Sequence, residues 1–393
     1  MFKLSDYVDF SKINDVEYMK QKGLKSFKVS SLTLIKYNKE KLNQDNLNTL
    51  GLFRSVITNG ERIVSYSPPK SSSQEVFKQE NDFQELNYIQ PYIEGTMINV
   101  FWNDKIGDWD IATRSNIGAR CHYNVLIKET FRYMFLDTMN KVDLDFDDFN
   151  KNYSYCFIMQ HPKNRIVTPI KNHKLYLCNV YKFENFNVYT VNDNEIGAHL
   201  LNFKIKNISD NTENLKQIYE TNKYEDEYEK VGIVFKNNQG QRCKVRNSAY
   251  EYVRQLKGNS PKLQFQYYNL KQQNKINEYL KYYPEQKETF MKMRDDLYEF
   301  TNKLYSNYIS CYIKKENPLK EFPYQYRSHM FNIHQIYLNQ LKEQHKFVNK
   351  REVINYINKL EPARLMYSMN INYRKSKIES RTNEEKTIVD ELI

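Results

Sequence analysis

The sequence predicts an α+β protein, with an antiparallel-sheet domain over residues 1–258, an all-helical domain over 259–375 and a flexible tail over 376–393. Two observations carry this division. Up to about residue 255, short apolar runs are separated by Gly, Asn and Pro turns, as expected for short strands with intervening helices. Beyond residue 260, apolar side chains recur every three or four positions and the strand pattern stops.

In the first part, residues 52–58 and 62–66 flank Asn59-Gly60, a strong hairpin signal. Further strands are expected at 96–102, 109–114, 155–160, 165–168, 175–181, 231–236 and 241–246, the last two joined by the Asn237–Gly240 turn. A helix is expected over 124–140, where Val125, Ile127, Phe131, Met134, Phe135 and Thr138 share helical spacing, and another starts at Asn211. The acidic run 143–148 reads as a solvated loop. In the second part, Phe290, Met293, Leu297, Phe300 and Leu304 define one helical stripe. Met330, Ile333, Tyr337 and Leu341 define a second, and Val353, Ile354, Ile357 and Leu360 a third. Breaks fall at Pro284, Pro318 and Pro362, and the tail has too little apolar content to order itself.

A chain of 393 residues can bury two cores without metals or disulfides. Mean hydropathy is −0.81, and no apolar run approaches the ~20 residues of a spanning helix. The first residues lack the basic-then-apolar order of a secretory signal. Five scattered cysteines without a Cys-x-x-Cys pair argue against a disulfide framework or zinc site, and point to the cytoplasm or another reducing compartment. The seven histidines show no ligand spacing, so no metal site is expected. A net charge of +11 favours a polyanionic partner, and 33 Tyr and 22 Phe supply faces for unpaired bases. Abundant Asn, Lys, Ile and Tyr also follow from AT-rich coding, as in a large DNA virus, so composition alone does not decide.

The chemistry-bearing segments occur in a definite order. Arg54 lies in Phe-Arg-Ser-Val-Ile before the hairpin, and Lys70 follows Pro68-Pro69. Tyr92-Ile93-Glu94-Gly95 precedes an apolar strand, Asn164-Arg165 follows Gln-His-Pro-Lys, and Lys244-Val245-Arg246 closes a late strand. Lys244 and Arg246 share one strand face, which suits phosphate binding.

This order resembles the covalent nucleotidyltransferase superfamily, most closely the phage-type RNA ligase 1 family of ATP-dependent tRNA-repair ligases. The resemblance covers residues 30–255 and implies an antiparallel-sheet nucleotidyltransferase (ATP-grasp-like ligase) domain; the helical remainder is also similar to that family. It further implies ATP or another nucleotide as ligand, RNA as partner, and Mg if catalysis persists. Arg54 and Lys70 would grip phosphates, Asn164-Arg165 would shape the nucleotide pocket, and Lys244 and Arg246 would contact the α-phosphate in an in-line transfer.

The departures from the family are systematic. Tyr92 stands where the nucleophilic lysine belongs, and Glu94 replaces a ribose-contacting aspartate. Ile158 or Met159 falls where the third motif carries a carboxylate, and Val231 where the fourth begins with glutamate. Glu229 would share the face of Val231 by strand alternation. Tyr92 therefore reads as a pocket wall, with covalent adenylyl transfer lost. Two alternatives stand beside this reading: an active RNA ligase with an atypical nucleophile, and a scaffold with a vestigial cleft whose helical domain docks a protein partner.

Overall fold

The computed structural model describes residues 1–123, 128–371 and 374. The chain divides into two compact units, Met1–Arg254 and Gln255–Ile393.

The first unit is built on antiparallel sheets. A seven-stranded sheet has the order Phe2–Lys3, Asn187–Thr190, Lys174–Glu184, Tyr153–Gln160, Thr96–Asn103, Asp108–Thr113 and Asn116–Ile117. One of its faces presents Ile98, Val100, Phe157 and Met159 to Met134 and Phe135 of the helix Phe131–Lys141, forming a large apolar cluster. Period-2 alternation sends Phe101 and Cys156 to the other face. There they meet a four-stranded sheet, Leu24–Val29, Leu32–Tyr37, Val56–Thr58 and Ile63–Tyr66.

A three-stranded sheet, Arg242–Arg246, Gly232–Lys236 and Tyr88–Pro91, completes the unit. Ile233, Phe235, Cys243 and Val245 face the helices Gln74–Glu80 and Thr212–Thr221 through Phe77, Leu215 and Ile218. The intervening residues, Val234, Lys236, Arg242, Lys244 and Arg246, fall on the opposite face. That alternation positions the site.

Several expectations are corrected. Residues 165–168 form no strand, because the N–H groups of Val167 and Thr168 donate to the Glu94 carboxylate rather than to a neighbouring strand. Arg54 lies in a bend before Val56–Thr58 rather than within a strand; the preceding Phe53 carbonyl is taken by the Tyr37 amide, and pairing with Leu32–Tyr37 starts only at Val56. The late strand begins at Gly232, so alternation says nothing about Glu229 or Val231. Tyr88–Pro91 pairs with Gly232–Lys236, whereas Thr96–Asn103 pairs in the seven-stranded sheet, so residues 92–95 cross between the sheets. The acidic run is partly ordered, with Asp145 capping a short 3₁₀ turn at Phe146–Asp148 and Asp148 contacting His199. The helix Phe131–Lys141 starts at the Thr130 cap, and Val125, Ile127 and the 376–393 tail lie outside the described residues.

The second unit is helical in its described residues. Lys287–Tyr308 buries Phe290, Leu297, Phe300 and Leu304 as its stripe predicts, but leaves Met293 half-buried. Tyr324–Ile336 runs into a π-helical turn at Tyr337–Leu341; of the predicted stripe, Met330, Ile333 and Leu341 are buried and Tyr337, which opens the turn, is half-buried. Lys350–Lys359 buries Val353 and Ile357 but leaves Ile354 exposed. Pro362 opens the helix Pro362–Met369, at the position where its missing N–H costs nothing. Buried His329 joins these helices through Tyr356 (2.8 Å) and Ser368 (2.7 Å), and burial, reinforced by Arg364, lowers its pKa to about 4, so it is held neutral. No described helix is long and apolar enough to cross a membrane. The five cysteines are free thiols.

Candidate functional site

The site lies in the first unit, where the crossing segment joins the two sheets. Tyr92 donates its N–H to the Gly232 carbonyl (2.8 Å), which continues the edge of the three-stranded sheet by one residue. Being two positions beyond Gln90, the Tyr92 side chain points to the same face as Lys244 and Lys236. Gly95 then turns sharply with φ +155°. A Cβ there would meet Ile158 Cγ2 and the Met159 carbonyl at 2.5 Å, so only glycine allows this approach to the neighbouring strand.

A cavity of about 340 Å³ opens at this crossing. Its charged lining is cationic, contributed by Arg54, Arg114, Lys236, Arg242 and Lys244, with Tyr92 and neutral polar side chains such as Gln90, Thr96 and Asn179 among them. Its apolar lining includes Pro91, Ile93, Met97, Ile158, Ile205 and Val234. Among the described residues, no aspartate or glutamate lines it.

The cations are close and poorly compensated. Arg242 and Lys236 are direct cross-strand partners, an arrangement in which like charges repel. Arg242 is buried; one nitrogen donates to the Pro69 carbonyl (2.8 Å) while Nε finds no acceptor. Arg54 and Lys236 make no hydrogen bond or ion pair among the described residues. The Lys244 ammonium lies over the Tyr92 ring, 4.2 Å from its centroid, and the Arg246 guanidinium is 5.9 Å from the same centroid. Burial, reinforced by Arg242, brings the Lys236 pKa down to about 8. Burial does the same for Lys244, against Tyr92 and with Arg242, again to about 8. For Tyr92, burial acts upward, but Lys244 and Arg246 prevail and bring the phenol down to about 8. Arg54 is lowered by burial and then by Arg242, and Lys70 by burial and then by Arg54.

The sequence-predicted residues thus take different places around the cavity. Arg54, Tyr92, Gly95 and Lys244 line the cavity. Arg246 stands at its margin beside Tyr92, with one guanidinium nitrogen 3.1 Å from Glu251. Lys70 is exposed, and its backbone N–H donates to Gly51 (2.9 Å). Glu94, Asn164 and Arg165 do not line the cavity and brace it from behind. The Glu94 carboxylate accepts from the Val167 and Thr168 amides (3.0 and 3.1 Å) and from the Thr168 hydroxyl (3.0 Å). It also raises the pKa of the Tyr250 phenol, secondarily to burial. Asn164 donates to the Thr96 hydroxyl (2.8 Å), and Arg165 Nε to the Val167 carbonyl (3.0 Å). Lys236 and Arg242 carry no motif that marks them in the sequence, and Arg114, which reads there as a strand end reaching solvent, lines the cavity instead. Counting back two from Lys244 would have found Arg242; Lys236 required the hairpin register.

A second ionisable cluster lies elsewhere in this unit. Asp137, His161 and His173, far apart in sequence, bring their ligand-type atoms within 4.8 Å of one another. Both histidine Nε2 atoms are 3.1 Å from Asp137 Oδ2. The Lys163 amide donates to His161 Nδ1 (3.1 Å), so a neutral His161 carries its proton on Nε2 and donates it to Asp137. A metal would need that lone pair, so the present geometry is that of a hydrogen-bonded brace.

No family model matches the chain, and no curated protein matches it. Among solved structures it is similar to a protein assigned as an ATP-dependent DNA ligase from Aquifex aeolicus, at 13% identity over 87% of this chain and 85% of that one, with TM-score 0.37. Two forms of an archaeal ATP-dependent RNA ligase match at 11% identity over 92% of this chain and 80% of theirs, with TM-scores of 0.36 and 0.38. At such TM-scores the likeness does not establish a common fold, and function is read from the cavity itself.

Proposed function

We propose that the first unit binds the phosphates of a nucleotide or of RNA, on a ligase-like nucleotidyltransferase frame that has lost covalent adenylyl transfer, and serves RNA processing or repair in a reducing compartment. The single observation behind this reading is the cavity lined by five cations and, among the described residues, no carboxylate. Half-buried cations crowded around the buried Arg242 are unfavourable unless an anion arrives, and perturbed groups of this kind concentrate at functional sites. The apolar wall of Ile93, Met97, Ile158 and Val234 suits a base or sugar beside the phosphates. The helical unit would dock the RNA or a protein partner. Incubation with α-labelled ATP and Mg is expected to leave no label on the protein, while equilibrium dialysis retains ATP; no retained nucleotide or RNA would remove the reading.

A second reading is favoured by one specific feature, the Tyr92 phenol with its pKa lowered to about 8 inside the cavity. As a phenolate it could attack the α-phosphorus of ATP, forming a Tyr92–AMP ester as the bond to the β-phosphate breaks and pyrophosphate leaves. Label on wild-type protein and none on Tyr92→Phe would establish it.

A further inference from the structure

A divalent ion is what the family resemblance implies, and the residues around this cavity do not fit one. Hard divalent cations take oxygen ligands, commonly carboxylates. None lines the cavity among the described residues. The nearby acids are committed elsewhere: Glu94 to the Val167 and Thr168 amides, and Glu251 to Arg246 and Arg254. Ile158 and Val234 instead point apolar side chains into the space. What the cavity does offer is fixed positive charge. Lys236 and Arg242 face each other across one strand pair, Lys244 lies two residues along, and Arg54 approaches from another sheet's leading bend. Arg242 Nε is buried without an acceptor.

We infer that Arg54, Lys236, Arg242 and Lys244 stand in for the metal, so that the cavity holds a phosphate chain without a divalent cation. This rests on the proposed phosphate-binding function and specifies its ligand as a free, fully anionic chain, whether a nucleoside polyphosphate or the 5′-phosphorylated end of an RNA. Magnesium would then compete with the protein, because a metal-bound phosphate chain presents less negative charge to the cations.

Isothermal titration calorimetry on the full chain, in EDTA and in excess Mg, tests this with four probes: inorganic tripolyphosphate, ATP, and an RNA oligomer carrying either a 5′-phosphate or a 5′-hydroxyl. Tripolyphosphate is expected to bind in EDTA at least as tightly as in Mg, and Lys236→Met to weaken it by about tenfold or more as one buried charge contact is lost. Lys236→Arg, which keeps the charge, should retain affinity, and a thermal melt confirms that both variants fold. Tighter binding of ATP than of tripolyphosphate would identify a nucleotide ligand; tighter binding of the 5′-phosphorylated than of the 5′-hydroxyl oligomer would identify an RNA end; either supports the metal-free site. Binding that requires Mg overturns the inference and leaves the proposed function standing, as does metal-free binding indifferent to Lys236→Met. No binding of any probe in either buffer overturns both.

Discussion

The first unit contains two clusters of ionisable side chains that solve the same electrostatic problem in opposite ways. Around Asp137, one carboxylate accepts from two histidines, and the backbone fixes the tautomer of the buried one. Hydrogen-bonding capacity is matched within the chain. In the cavity, Arg242 faces Lys236, Lys244 leans on an aromatic ring, and no carboxylate answers them among the described residues. The first cluster is complete as it stands and braces the fold. The second is complete only with an anion from outside, and that difference separates a structural from a functional group of charges.

The comparison breaks most sharply on substitution. Lys244→Met should weaken tripolyphosphate binding by about 2 kcal/mol, the usual cost of losing one partner of a desolvated charge contact. It should also raise the melting temperature of the free protein, because a buried like charge is gone; lower stability would refute the repulsion argued here. Asp137→Ala should do the reverse. Removing the shared acceptor leaves two histidine donors unmatched, which costs about 2 kcal/mol in a urea melt, while calorimetric affinity for tripolyphosphate stays unchanged. A loss of affinity in that variant would mean the brace belongs to the binding site.

Smaller and graded effects should follow pH. Lys236 and Lys244 have folded pKa values near 8, below the ordinary lysine value of 10.5, so their neutral forms are favoured by folding. The stability they contribute is present at high pH and lost as pH falls through about 8, leaving the full cost of buried charge at neutral pH. Anion affinity should run the other way, declining as pH rises through about 8 while the lysines lose protons and Tyr92 gains negative charge. Tyr92→Phe should soften that decline; a flat profile in the wild type would contradict the assignment. The brace titrates elsewhere. His161 is lowered from 6.5 by burial, opposed by Asp137, and Asp137 is lowered chiefly by His161, so the stability of this cluster is lost as pH falls below 6.5.

Much of the architecture was legible because local pattern and tertiary role agree. The strands at 96–102, 109–114, 155–160 and 175–181 were found from alternation, and the helix Lys287–Tyr308 from its stripe, since each buries one face against a core. Residues 165–168 misled because an apolar β-prone stretch can satisfy its amides with a distant carboxylate, and Glu94 lies more than seventy positions earlier. The π turn at Tyr337–Leu341 has no marker in the sequence, whose spacing reads as an unbroken helix there. In the site, Arg54, Tyr92 and Lys244 were legible from motif order, and the face shared by Lys244 and Arg246 from period 2. Glu94 and Asn164 proved to be braces, because side-chain targets are set by folding rather than by spacing.

The sequence by itself determined the alternation of sheet faces, the row of cations at 242, 244 and 246, and the glycine needed where the chain passes close to Ile158 and Met159. Those features depend on neighbours along one strand or at one bend. Only the tertiary structure decided that Lys236 opposes Arg242, that Arg54 approaches the same space from another sheet's leading bend, and that the available carboxylates are used up elsewhere. Charge balance in a cavity is a sum over segments distant in the chain, and that sum exists only after they have folded together.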